Sequence, residues 1–311
     1  MAKFLKKSLV ILLIALVACG VLGYAITIAT KDIYKDNYQK GYVYQYRRLQ
    51  QADANTPKII VFGGSYLTFS LNTKQLEEET GMPSYEFGVQ SNMGMCYTIE
   101  LMEDYINEGD IVVFPFQDFA KEDYGMDLIY TSIESEPDML AGFLKEHPSQ
   151  LLTALPHCVA RRVFGLFRNT DDPYYTAKAF DKDYAYYDLD RPEPLMTPEE
   201  LEAAGYAFTM QDVDPTCLGR LNELNALCEE KGAKLLLTYA PICEQSVFSR
   251  PELREEYMNA LDEALDPEFI CKLDDCFYDA SLVFNGNMHL NNEGMKAYTS
   301  DLAKMLKPYI K

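Results

Sequence analysis

Tryptophan is absent from this 311-residue chain, and histidine occurs only at His147, His157 and His289. The missing tryptophan excludes nothing. The shortage of histidine excludes a typical zinc cluster, and it nearly forces the choice of base if imidazole does any chemistry. No C-x-x-C is present, so the eight cysteines do not form a metal or redox motif. Gly-rich phosphate loops and dinucleotide fingerprints are missing as well. No tract is low-complexity, and 48% of residues are hydrophobic, which excludes a disordered or fibrous chain. The length allows one large or two small domains with ample core.

Residues 1–30 contain no acid. Lys3, Lys6 and Lys7 precede an uncharged run from Ser8 to Thr30, rich in Leu, Ile, Val and Ala. Such a run is long enough to cross a bilayer core as a helix. The basic flank then predicts residues 1–7 as a cytoplasmic tail, 8–30 as the anchor and everything after Lys31 outside the cell. The competing reading is a cleaved signal peptide, most specifically a lipoprotein signal, since Leu16-Val17-Ala18-Cys19 has the look of a lipobox. The apolar run continues well past Cys19, which favours the uncleaved anchor.

Beyond those lysines the chain carries 25 basic against 48 acidic residues. This acidity repels nucleic acid and bare polyphosphate polymers at long range. A neutral glycan, an acyl donor or a cationic partner is easier to accommodate. Seven cysteines remain outside the anchor, an odd number that cannot all pair. Cys217 and Cys228 fall on one helical face and read as core, whereas Cys271 and Cys276 could meet across a turn.

Residues 31–56, polar and Tyr-rich, read as a membrane-proximal stalk. Lys58–Phe62, Ile111–Phe114 and Leu235–Tyr239 are short continuous apolar runs, the pattern of strands buried on both faces. Helical periods cover 72–79, 97–106, 218–228 and 293–306, with Asn72 or Thr73 as a cap and Gly81 and Gly232 as stops. Strands alternating with helices predict an α/β fold on a parallel sheet. The stretch 119–215 breaks that rhythm and reads as an inserted cap subdomain, with a helical piece near Leu140–Phe167. His157, beside Pro156, reads as a surface residue.

The chemistry-bearing residues lie at opposite ends of this pattern. Ser65 follows the first buried strand across Gly63 and Gly64, and His289 opens His-Leu-Asn-Asn-Glu-Gly near the C-terminus. A serine hydroxyl becomes a useful nucleophile when a neighbouring base takes its proton, and a neutral histidine is suited to that. A tetrahedral intermediate also needs amide donors aimed at its oxygen.

These residues resemble the SGNH (GDSL-like) hydrolase superfamily, especially its membrane-anchored bacterial branch related to the D-alanyl-lipoteichoic acid transfer protein. Gly63-Gly64-Ser65 stands where that family has Gly-Asp-Ser. Tyr85-Glu86-Phe87-Gly88-Val89-Gln90 is similar to its second block, and Pro115-Phe116-Gln117-Asp118 occupies the place of the third. His289-Leu290-Asn291-Asn292-Glu293-Gly294 is similar to its last. The resemblance covers about 57–118 and 217–311. It implies a three-layer α/β/α fold with a flavodoxin-like parallel sheet spanning 57–311, Ser65 as nucleophile and His289 as base. It further implies Gly88 and Gln117 as oxyanion donors and no cofactor. The implied activity is that of an esterase or O-acyltransferase working on acyl esters of an envelope glycan or polymer, served by a membrane-bound acyl-donor partner.

One departure matters. The family places Asp three residues before the histidine, and this sequence has Gly286 there. Asp279 is the nearest upstream carboxylate, and Asn285 could orient the ring without supplying a charge. An Asp279 triad, a bare Ser–His pair and an inactive glycan-binding or assembly protein all remain open at this point.

Overall fold

The computed structural model describes residues 2–30, 36–117, 125–165 and 172–310. Asp118, the beginning of the expected insertion at 119–124, and residues 166–171 lie outside the described residues. The chain divides into two compact units, one of residues 1–40 with 126–178 and the other of 41–125 with 179–311.

In the first unit, helix α1 (Ala2–Thr30) contains a 28-residue segment, Lys3–Thr30, long and apolar enough to cross a membrane. At 1.5 Å per residue it extends about 40 Å, against a bilayer core of about 30 Å. Helices α6 (Met126–Ile133), α7 (Pro137–Glu146) and α8 (Pro148–Gly165) belong to the same unit. The helical piece expected near 140–167 is thus two helices. His147 precedes Pro148, and a residue before proline is pushed out of the helical region. His157 on α8 is exposed, with Asp127 3.9 Å away.

The second unit is built on a five-stranded parallel sheet: β1 (Ile59–Phe62), β2 (Ser84–Phe87), β3 (Ile111–Phe116), β4 (Lys234–Tyr239) and β5 (Glu268–Phe269). The strand order is 2-1-3-4-5, every pairing parallel. In this order the strand sequence reverses beside β1, which is the switch point of an open parallel sheet. Strands β1, β2 and β3 are buried along their whole length, as expected for strands covered on both faces. At their N-terminal ends Lys58 Nζ and the Asp110 carboxylate form a buried pair at 2.5 Å, and the carboxylate also accepts the Lys58 and Asn107 backbone N–H groups. Those added bonds are what make a buried ion pair tolerable.

Helices α3 (Ser65–Ser70), α4 (Thr73–Thr80), α5 (Met95–Met102), α9 (Pro198–Ala203), α10 (Pro215–Glu230), α11 (Pro251–Ala264) and α12 (Asn292–Leu306) complete this unit. Asn72 caps α4 by accepting the Gln75 amide, and Gly81 closes it at φ 74°. Cys217 and Cys228 are buried on α10. Ile59, Val61, Leu67, Leu236, Leu290 and Leu302 form part of one continuous core.

Three expectations are corrected. The supposed stalk contains α2 (Gly41–Gln50), whose Tyr42, Gln45 and Leu49 are buried, so the sheet-bearing unit begins at Gly41 rather than Pro57. The stretch 119–215 is not one subdomain: 126–178 joins the N-terminal helix, and 179–215 joins the sheet unit. An antiparallel hairpin, β6 (Val283–Asn285) with β7 (His289–Leu290), precedes the last helix where no hairpin was expected.

Candidate active site

Ligands of open α/β sheets bind beyond the C-terminal ends of the strands, at the switch point. β1 ends at Phe62, and three residues later, past Gly63 and Gly64, Ser65 starts α3. Gly64 is required there: a Cβ on it would come within 1.9 Å of Ser91 Oγ. Ser91 lies in the turn after β2, and Gln117 immediately follows β3. Three adjacent strand ends thus converge around one point.

His289 is brought to the same place by the β6–β7 hairpin, whose turn includes Gly286 at φ 63°. Its Nε2 lies 3.0 Å from Ser65 Oγ, and its Nδ1 lies 2.7 Å from Asn285 Oδ1. An amide oxygen can only accept, so Nδ1 carries the hydrogen and Nε2 offers its lone pair to the serine O–H. This is the tautomer a general base needs. All three side chains are partly exposed, open to an incoming group. The imidazole also stacks on Phe69, with ring centroids 4.4 Å apart and planes at 13°. His289 is pulled down to about 4, chiefly because burial strips water from its charged form and secondly by the Arg191 cation. The ring is therefore neutral at physiological pH.

Asp279 is not the orienting acid. It caps the turn at Ala280–Leu282 by accepting the Ser281 amide and also accepts from Gln245 Nε2, while His289 bonds Asn285 and Ser65. Hydrogen bonds from Ser281 and Gln245 hold its carboxyl below the usual range. Asn285, one position further from the histidine than the family pattern, takes the orienting place because the hairpin turn brings it opposite the ring.

Gly88 is also corrected as an oxyanion donor. Its amide points at Gln45 Oε1, 3.3 Å away. The position needs glycine for a different reason: a Cβ would sit 2.7 Å from Leu67 and 3.0 Å from the Gly64 carbonyl. Gln117 is buried and donates through Nε2 to Ser91 Oγ at 2.9 Å. It lines a shallow, water-sized pocket together with Gly64, Tyr66, Ser91, Met95 and Thr98.

No protein-family model, curated protein or solved structure matches this chain.

Three participants had no place in the sequence reading: Ser91, Phe69 and Arg191. Ser91 had a usable signal, a polar Gln-Ser-Asn turn directly after a strand end. Phe69 and Arg191 had none, because their roles depend on which side chains the fold stacks together. Glu86 on β2 is buried, and its carboxyl is pushed well above the usual range by loss of hydration. Thr68 and Gln45 are its polar neighbours, though neither carboxyl oxygen makes a hydrogen bond of ordinary geometry. Among the described residues no group of three or more His, Cys, Asp or Glu is placed to hold a metal ion.

Proposed function

We propose that this chain is a membrane-tethered serine esterase or O-acyltransferase of SGNH type, acting outside the cytoplasmic membrane on acyl esters of an envelope glycan or polymer. The observation that carries the reading is the relay Ser65–His289–Asn285, with contacts of 3.0 and 2.7 Å at the C-terminal edge of a parallel sheet. Support also comes from the strand order 2-1-3-4-5, with the serine just past β1 and the histidine just before the last helix. The SGNH layering of helices on both sheet faces belongs to this proposal.

In the proposed reaction Ser65 Oγ attacks the acyl carbonyl while His289 Nε2 takes its proton. The proton then passes to the leaving alkoxide, giving an acyl-enzyme and a free hydroxyl. Water as the second nucleophile completes an esterase cycle; a sugar or polyol hydroxyl completes a transferase cycle. Asn285 holds the ring in the productive tautomer. Gln117, whose amide has a second hydrogen beyond that given to Ser91, is the candidate oxyanion donor. The lysines at 3, 6 and 7 favour an N-terminus inside and the sheet unit outside. A membrane-bound partner would deliver the acyl group.

One observation favours a second reading, a non-catalytic glycan-binding or assembly protein. The group orienting His289 is a neutral amide, which cannot stabilise an imidazolium as a carboxylate does. A fluorophosphonate probe on the detergent-solubilised full chain separates the two. Labelling that disappears in Ser65→Ala supports the enzyme. Absent labelling, with cells unaffected by Ser65→Ala, rejects it.

A further inference from the structure

Arg191 is completely buried in the segment between Tyr187 and α9, and the relay does not use it. Its backbone N–H donates to Asn292 Oδ1 at 2.9 Å, and its carbonyl accepts the Asn292 N–H at 3.0 Å. Asn292 is three residues past His289 and opens α12. The guanidinium Nη2 donates to the Phe69 carbonyl on α3 and touches Met295 Sδ on α12, both at 3.3 Å. Its carbon lies 5.2 Å from the Phe69 ring centre and 5.5 Å from that of Tyr187, within cation–π range. Phe69 is one helical turn past Ser65 and carries the His289 imidazole on its ring. Arg191 therefore touches both the helix that starts at the serine and the segment that follows the histidine.

We propose that Arg191 is a positioning residue for the Ser65–His289 pair: it clamps α3 to the histidine segment, and its fixed charge opposes a positive charge on the imidazole. The effect on rate rests on the catalytic reading above; the effect on His289 does not. A guanidinium stays protonated at any working pH, so its field is permanent. Around the imidazole, α3 presents Ser65 and Phe69, and β6 presents Asn285, none of them charged. The segment before α9 presents Arg191, whose neighbour Asp190 is exposed and accepts from Asn292 Nδ2, and Glu86 on β2, which feels the same guanidinium, is itself pushed toward its neutral acid. The buried guanidinium is the charge best placed to oppose a second positive charge on the ring. Most serine relays put a carboxylate beside the histidine; this site has an amide beside it and a cation on the Phe69 ring that carries it.

The test uses the full chain in detergent micelles, labelled with ¹³C-histidine. Only three histidines are present, and a His289→Gln variant assigns the signal. His289 in the unmodified chain is expected to titrate near 4. In Arg191→Met the midpoint should rise by about one unit, a tenfold change in proton affinity. Arg191→Lys keeps the charge and loses the planar fork, so its midpoint should stay low while fluorophosphonate labelling of Ser65 slows by about tenfold. Identical midpoints in the unmodified chain and a folded Arg191→Met would overturn the electrostatic half. Unchanged labelling and unchanged His289 ring shifts in Arg191→Lys would overturn the clamp, and that variant decides alone if Arg191→Met does not fold. A chain that never labels at Ser65 rejects the catalytic reading, while the titration and ring shifts still judge Arg191.

Discussion

Replacing Asn285 by Asp should convert the relay into one with a charged third member. The exchange is nearly isosteric, and the 2.7 Å contact to Nδ1 can persist. With charge centres about 4 Å apart and an effective dielectric constant of about 20, the attraction between carboxylate and imidazolium is about 4 kcal/mol. Desolvating the new carboxylate offsets part of that, and adjacent opposite charges commonly raise a proton affinity by about one to three pH units. His289 should therefore move from about 4 toward the ordinary histidine range. Exchanging acid for amide in a serine protease lowers turnover by about 10⁴-fold, but part of that loss comes from the wrong tautomer. Here the amide oxygen already faces Nδ1, so only the charge is to be gained. At up to tenfold per unit, fluorophosphonate reactivity should rise by about 10- to 10³-fold. The assay is the second-order labelling rate of the full chain across pH 3–9, read beside the His289 titration. A folded Asn285→Asp protein with an unmoved titration and unchanged labelling would refute the reasoning.

Two further outcomes follow from the same geometry. Because folding lowers the proton affinity of His289, the unfolded chain binds more protons between about pH 6.5 and 4, so His289 lowers stability progressively as pH falls through that window. The full shift corresponds to at most about 3 kcal/mol, and denaturant titrations should show a shallower decline between pH 7 and 4 for His289→Gln than for the unmodified chain. Among thiols outside α1, Cys271 should react first with iodoacetamide, as read by peptide mass spectrometry. It is partly exposed where the others are buried, and a hydrogen bond from Cys276 (3.8 Å between sulfurs) holds its thiol below the usual range. In Cys276→Ser that advantage should shrink.

The parts of the fold legible in the sequence are those whose environment is uniform along the segment. Ile59–Phe62, Ile111–Phe116 and Lys234–Tyr239 are apolar because all their residues but Lys234 are buried, and α4 and α10 announce themselves by period and caps. β2 escaped because its Ser-Tyr-Glu-Phe run includes a glutamate, which only the surrounding core keeps buried. β5, of two residues, is too short for any period to register. The β6–β7 hairpin did carry a signal, Asn285-Gly286, a dipeptide favoured at tight turns.

By itself the sequence determined the membrane-length helix, the parallel α/β plan and the two residues on which the chemistry would turn. Each is a property of local composition or of rarity: an uncharged run, an apolar strand, a serine after glycines, one histidine near the end. The tertiary structure alone decided that Asn285 and not Asp279 orients His289, that the Gly88 amide is turned toward Gln45, and that Arg191 packs on the Phe69 ring that carries the imidazole. Those are distances between residues far apart in the chain, or across a hairpin whose register selects one of two neighbouring polar side chains. Local pattern carries no information about them, and packing supplies all of it.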